Sequence, residues 1–334
     1  MKYEFAVVDL SYLLRRNLYV CSRGKDVGEY TAGDVVKMTI QTLNKIPRDY
    51  GIEMDKYILV ADKWDDTYQG YYRHYLLSGS YKSDRTWMTE EKFEEIKNTP
   101  NIDPEELKKA EKELYMDRVM KETKDIMKNE FRYFGVPCIW QPGWEFDDCA
   151  YLFACLYYDF GSSKSVIITK DSDLQYSINP KVDYFRLPTS GSLPEIITYD
   201  DMYNRMPNEV KDAGISLYEY KSMLDSLGMG HNSMRRTKMT YADPDEAVVR
   251  VKSGDYSLIN DPELFDLQLS TFNVFKFPGL EEITNKIKND IFTIGRLGSL
   301  EDFRSFCRRH KIWGISDRYY TEFINRFNQK LFTE

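Results

Sequence analysis

The sequence predicts an α/β fold: a mainly parallel central sheet flanked by helices, with an insertion after the second strand and a helical carboxyl-terminal portion. Three observations carry this expectation. Short apolar runs rich in β-branched residues alternate with longer helical stretches through the first half of the chain, the pattern of a parallel sheet covered on both faces. In VIIT and YILV the apolar residues run on without alternation, as in strands buried on both sides. Beyond about Tyr199 the strand signal fades and helical periodicity takes over.

In chain order, the candidate strands are Phe5 to Val8, Tyr57 to Ala61, Pro137 to Trp140, Val166 to Thr169 and Tyr184 to Leu187. Between Asp62 and about Arg132 lies a stretch too long for an ordinary connection. It reads as a partly helical excursion over the site, with Asp103 and Pro104 marking a helix start. After Tyr199 the helical segments are SLYEYKSMLDSL, DPDEAVVRVKS, GLEEITNKIKNDI and SLEDFRSFCRRH. The expected organisation is an α/β core over 1–203, including an insertion at about 63–132, followed by a helical portion over 204–334.

A chain of 334 residues, 42% of them apolar, can fill a substantial core. The five cysteines are scattered, without a CxxC pair or interleaved histidines of zinc spacing, which suits a reducing, cytoplasmic compartment. The amino-terminal MKYEFAVVDL has neither the basic region nor the apolar run of a secretory signal. No stretch approaches the roughly 18 to 20 apolar residues that cross a bilayer. The net charge of -8 argues against a protein that coats nucleic acid non-specifically. It does not argue against a nuclease, because a carboxylate-built metal site itself contributes negative charge.

Carboxylates stand at or just beyond the carboxyl end of four candidate strands, where open α/β sheets place their ligands. Asp9 follows FAVV and Asp62 follows YILVA; Glu145, Asp147 and Asp148 open a helix after CIWQPGW; Asp171 and Asp173 follow VIITK. On a helix, Glu145 and Asp148 share a face while Asp147 is turned away. Each acid alone reads equally as a helix cap or turn residue. Together they suit Mg²⁺ or Mn²⁺, since hard cations prefer oxygen donors and relieve the repulsion among crowded carboxylates.

At these residues the chain resembles the 5′-nuclease (flap endonuclease-like) superfamily, and within it the T-even phage branch of ribonuclease H and 5′–3′ exonucleases. The matches are Asp9 in VVDLSYLLRR, Asp62 in VADKWDD, the E-x-D-D motif at Glu145, Asp147 and Asp148, and the D-x-D motif at Asp171 and Asp173. YYRHYLLSGSYKSDR resembles the family's segment leading into an arch that admits a single strand. By that resemblance Arg73, Lys82 and Arg85 contact the scissile phosphate or the 5′ strand, and Tyr72 or Tyr81 stacks on bases. The carboxyl-terminal third is similar to the phage branch's duplex- and partner-binding region, with Arg235, Arg236 and Lys238 as backbone contacts.

The chain departs from the family at G-D-x-x-D-N, whose two aspartates complete a second metal site. Aligned on Asn232, those positions hold Gly228 and His231. Asp225, three residues before Gly228, and His231 are candidates to compensate. The resemblance thus implies one tightly bound Mg²⁺ or Mn²⁺ and a second bound more weakly. It implies a monomeric 5′–3′ exonuclease or flap endonuclease in replication, without membrane association. The substrates are DNA with 5′ flaps or ends and RNA·DNA hybrids, and a clamp or single-strand-binding protein is the implied partner. The alternative is a weakened or inactive homologue that recognises replication junctions without cutting them.

Overall fold

The computed structural model describes residues 2–63, 65–66, 71–73, 88–150, 152, 164–188, 193–228, 240, 242–277, 279–292 and 298–327. Six strands form one sheet in the order β3-β2-β1-β4-β5-β6. They are β1 (Lys2–Asp9), β2 (Glu53–Val60), β3 (Cys138–Ile139), β4 (Ser165–Thr169), β5 (Val182–Arg186) and β6 (Glu195–Ile197). All neighbours are parallel except β5 and β6. The α/β architecture and each of the five expected strands are therefore present. Strand β6 was not foreseen, because three residues at an antiparallel edge carry too little periodicity to register.

Burial along β1 explains its unbroken hydrophobicity. Ala6 and Val8 join the core on one face of the sheet, whereas Phe5 and Val7 join the core on the other. Successive side chains point to opposite faces, so a strand covered on both sides has no polar phase.

Helices α1 (Leu10–Ser22), α2 (Ala32–Tyr50), α3 (Glu90–Lys97) and α4 (Pro104–Glu130) follow in the first half. Helix α2 starts at a reciprocal cap in which Thr31 and Asp34 bond each other's backbone. Helix α4 starts where expected, its Asp103 side chain accepting from the Glu105 N–H and Pro104 in the first turn. Its buried Leu114, Val119, Met120, Ile126 and Met127 are turned inward, and the helix packs against α1 and α2. Much of the stretch read as an excursion is thus a layer of the core.

The later helices divide between the two faces. Helices α5 (Tyr199–Arg205), α6 (Asn208–Asp212), α7 (Leu217–Ser226), α8 (Pro244–Lys252), α9 (Pro262–Phe272) and α10 (Leu280–Phe292) bury Met202, Val210, Leu217, Val248, Phe265 and Ile287 with Phe5 and Val7. Helices α11 (Leu300–Arg309) and α12 (Asp317–Phe327) return to the opposite face. There Phe303, Phe306 and Tyr320 pack around Phe134, their ring centroids 5.5, 5.1 and 6.0 Å from it. The return is close: a Cβ on Gly33, in the first turn of α2, would lie 2.0 Å from the His310 carbonyl oxygen. Among the described residues no helix is long and apolar enough to cross a membrane.

Candidate active site at the carboxyl ends of the parallel strands

Strand β1 lies between β2 and β4, so the chain winds outward in opposite directions from the β1–β4 seam. In such sheets the crevice beyond the carboxyl ends at that seam is where ligands bind. Asp9 ends β1, and Asp171 and Asp173 follow β4. Backbone bonds tie the Asp62 loop to the turn before the helix that begins at 146: Lys63 N–H donates to the Trp144 carbonyl, and Gly143 N–H to the Lys63 carbonyl. The Phe146 N–H then donates to Asp62 Oδ1 at 2.8 Å. Acids remote in the chain are thereby delivered to one place.

Several of these acids also serve as caps. Asp9 Oδ1 accepts from the Tyr12 N–H at 2.8 Å, Asp171 Oδ1 from the Asp173 N–H at 3.0 Å, and Asp148 Oδ2 from the Glu145 N–H at 3.0 Å. Capping and site-building coincide here, because a strand end that starts a helix is also the mouth of the sheet. The second oxygen of Asp9 accepts from the Thr169 hydroxyl at 3.0 Å, and that hydroxyl accepts from the Asp171 N–H at 3.2 Å. Thr169 therefore couples the ends of β1 and β4. The Ser11 hydroxyl accepts from the Asp62 N–H at 2.9 Å.

Burial, followed by the nearby Asp62 and Asp147 charges, holds the Asp9 carboxyl well above the usual carboxylate range, although the Tyr12 and Thr169 hydrogen bonds pull it down. Burial pushes Asp148 up to about 7, against the pull of Arg73 and with Glu145 adding repulsion. Beside Asp62, burial lowers the Lys124 ammonium, with Asp62 opposing and Arg15 and Lys63 adding to the fall.

Arg73, expected to touch a phosphate, is buried among the acids. Its guanidinium lies 2.5 Å from Asp148, 3.4 Å from Glu145 and 3.6 Å from Asp147. The Tyr72 ring packs on Phe277, with centroids 4.7 Å apart. Asp147, expected to turn away from Glu145 and Asp148, meets the Arg73 guanidinium and shares a cavity with Arg73, Asp173, Asp225 and Lys221. The Lys221 ammonium is 2.5 Å from Asp225 and 3.9 Å from Asp173. Burial works against its charge, but Asp225, Asp173 and Asp147 outweigh that and raise it above its ordinary value. His310 contacts Glu130 at the end of α4. Tyr81, Lys82, Arg85, His231, Arg235, Arg236 and Lys238 lie outside the described residues.

The donor set fits a hard divalent cation in chemistry: the ligands are oxygens, and the Asp62 and Asp147 charges bear on the buried Asp9 carboxyl. Among the described residues no three acidic, histidine or cysteine side chains close round one point as they stand. At Glu145, Asp147 and Asp148 it is Arg73 that supplies the counter-charge.

Sequence reasoning missed Thr169, Ser11 and Lys221. A hydroxyl ending a strand has no pattern of its own. Lys221 and Asp225 did carry a signal, the four-residue spacing that puts two side chains side by side on a helix.

No protein-family model matches the chain, and no curated protein sequence matches it either. Among solved structures it is similar to bacteriophage T5 flap endonuclease in a pseudo-enzyme–product complex with DNA and metal ions. That likeness has a TM-score of 0.47 and 13% identity, covering 98% of this chain and 100% of that one. It is also similar to T5 5′-exonuclease with bound zinc, with a TM-score of 0.47 and 15% identity, covering 96% of this chain and 99% of the other.

Proposed function

We propose that this chain is a divalent-metal-dependent nuclease of the 5′-nuclease type, removing nucleotides or flaps from the 5′ ends of DNA or RNA·DNA during replication. What supports this reading is that, beyond the carboxyl ends of the parallel strands, Asp62 and Asp147 bear on Asp9, Asp62 is bonded to the turn that carries Glu145, Asp147 and Asp148, and Thr169 joins Asp9 to the backbone of Asp171.

Asp9, Asp62, Glu145, Asp148 and Asp171 would hold the ion, Mg²⁺ or Mn²⁺. Bound there, the ion supplies a water of lowered pKa and positive charge for the phosphate oxygens. Thr169 fixes the rotamer of Asp9 and the path of the backbone at Asp171. Arg73 keeps Glu145 and Asp148 in register by bonding both, which makes it a positioning residue. Lys82 and Arg85 take the scissile phosphate or the 5′ strand, Tyr72 or Tyr81 the bases, and Arg235, Arg236 and Lys238 the duplex backbone. No covalent intermediate is needed.

The test uses 5′-labelled flap, nicked and RNA·DNA substrates with Mg²⁺ or Mn²⁺, with chelator, and with Asp148→Ala. Wild type releases mono- or short oligonucleotides, while chelator or the substitution lowers the rate by about 10²-fold or more. Unchanged cleavage by Asp148→Ala rejects the site. A second reading, a junction-binding protein that does not cut, draws on the neutralisation of Glu145 and Asp148 by Arg73. Flap binding without cleavage at any Mg²⁺ or Mn²⁺ concentration selects it.

A further inference from the structure

The acidic cluster continues past Asp147 into the small cavity between the turn after β4 and helix α7. Lys221 sends its ammonium between two carboxylates there, 2.5 Å from Asp225 Oδ2 and 3.9 Å from Asp173 Oδ2. Asp225 is one turn along the same helix, so the pair is set by helix geometry. Asp173 arrives from the turn after β4, anchored through its N–H to Asp171, and Asp147 comes from the helix that begins at 146. Lys221 is four-fifths buried, with a side-chain exposure of 20%. Acids from three elements thus face one ammonium, an arrangement of charge that a second divalent ion would otherwise satisfy.

The sequence agrees with this assignment. Gly228 and His231 occupy the positions where the resembling family keeps the aspartates of a second ion, while Asp225 and Lys221 stand one and two turns earlier. The Gly228 backbone is left-handed at the helix end, with φ of 76°, a conformation that suits glycine.

Resting on the nuclease reading above, we propose that Lys221 is the permanent second cation of this site: its ammonium takes the place of a second divalent ion among Asp147, Asp173 and Asp225. The chain therefore binds one ion, on the Asp9–Asp62 side. A lysine gives a single charge and three donors to a phosphate. It does not lower the pKa of a water, so the attacking water belongs to the other side of the site. Lys221 positions acids and offsets phosphate charge.

The experiment is a Mn²⁺ titration of the full chain without nucleic acid, read by loss of the free-ion paramagnetic resonance signal and by calorimetry. Variants are Lys221→Met, Lys221→Arg, Lys221→Met with Asp225→Asn, and Asp9→Asn, each checked for fold by circular dichroism. Expected are one tight ion for wild type and Lys221→Arg, two for Lys221→Met, and one again for the double variant. Two tight ions in wild type, or the same number in Lys221→Met as in wild type, overturns the proposal. If wild type binds one ion and Asp9→Asn does not weaken it, the nuclease site itself is misplaced. If neither wild type nor Lys221→Met binds an ion, both readings fall.

Discussion

Replacing Arg73 by Met removes a cation in contact with three acids while keeping most of the side chain's bulk. Its guanidinium lies 2.5 Å from Asp148 and 3.4 Å from Glu145, and these two carboxyls are 1% and 3% exposed. Breaking a buried pair by deleting one partner costs about 3–5 kcal/mol, because the remaining charge stays buried. A pair of unit charges 4 Å apart gains about 4 kcal/mol at an effective dielectric constant near 20, which falls within that range. For a chain of this size the loss lowers the melting temperature by about 4–7 °C. The assay is thermal unfolding in chelator at pH 8 and pH 5. Because burial pushes Asp148 up to about 7, its carboxyl is protonated at pH 5. The deficit of the variant then shrinks. Mg²⁺ at pH 8 also narrows it, since the ion substitutes for the lost cation. An Arg73→Met protein as stable as wild type at pH 8 in chelator, or one whose deficit is the same at both pH values, refutes this account of the acid cluster.

Three further outcomes follow from the same geometry. In chelator, wild type loses stability as pH rises from about 4 to about 7. Asp9 and Asp148, both raised in the folded state, bind protons there that the unfolded chain has released; the Asp148 share is at most about 4 kcal/mol, and calorimetric melting across that window should show Mg²⁺ stabilising more at pH 8 than at pH 5. Thr169→Val keeps the volume of the side chain but removes the bond to Asp9, so Mn²⁺ affinity by calorimetry drops about 10- to 100-fold with the fold intact; unaltered affinity contradicts the role given to Thr169. Gly33→Ala forces a Cβ to within 2.0 Å of the His310 carbonyl, and denaturant melts should show a loss of roughly 1–3 kcal/mol or more, together with faster hydrogen exchange in α11.

The strands were legible because burial on both faces erases polar alternation, and β1, β2 and β4 advertise that directly. The acids were legible because each follows such a strand. The partners that hold them were harder to read. Thr169 and Ser11 act through single hydroxyls whose bonds span 160 and 51 residues of sequence, and no local pattern announces a bond of that reach. Arg73 was found as a functional residue, but its burial among Glu145, Asp147 and Asp148 depends on how the loops fold over the sheet. Helix α4 was recognised from its cap, whereas its packing on α1 and α2 was not, because its apolar residues are sparse among charged ones.

The central claim is spatial: acids from separate strands make one pocket for a hard cation. Anomalous scattering from a crystal grown with Mn²⁺ tests it directly. The account predicts a strong peak ligated by Asp9 and Asp62 oxygens, with none between Asp173 and Asp225 while Lys221 is present. Ordered Asp9 and Asp62 side chains without a peak between them, in a crystal that binds Mn²⁺ elsewhere on the chain, would contradict it.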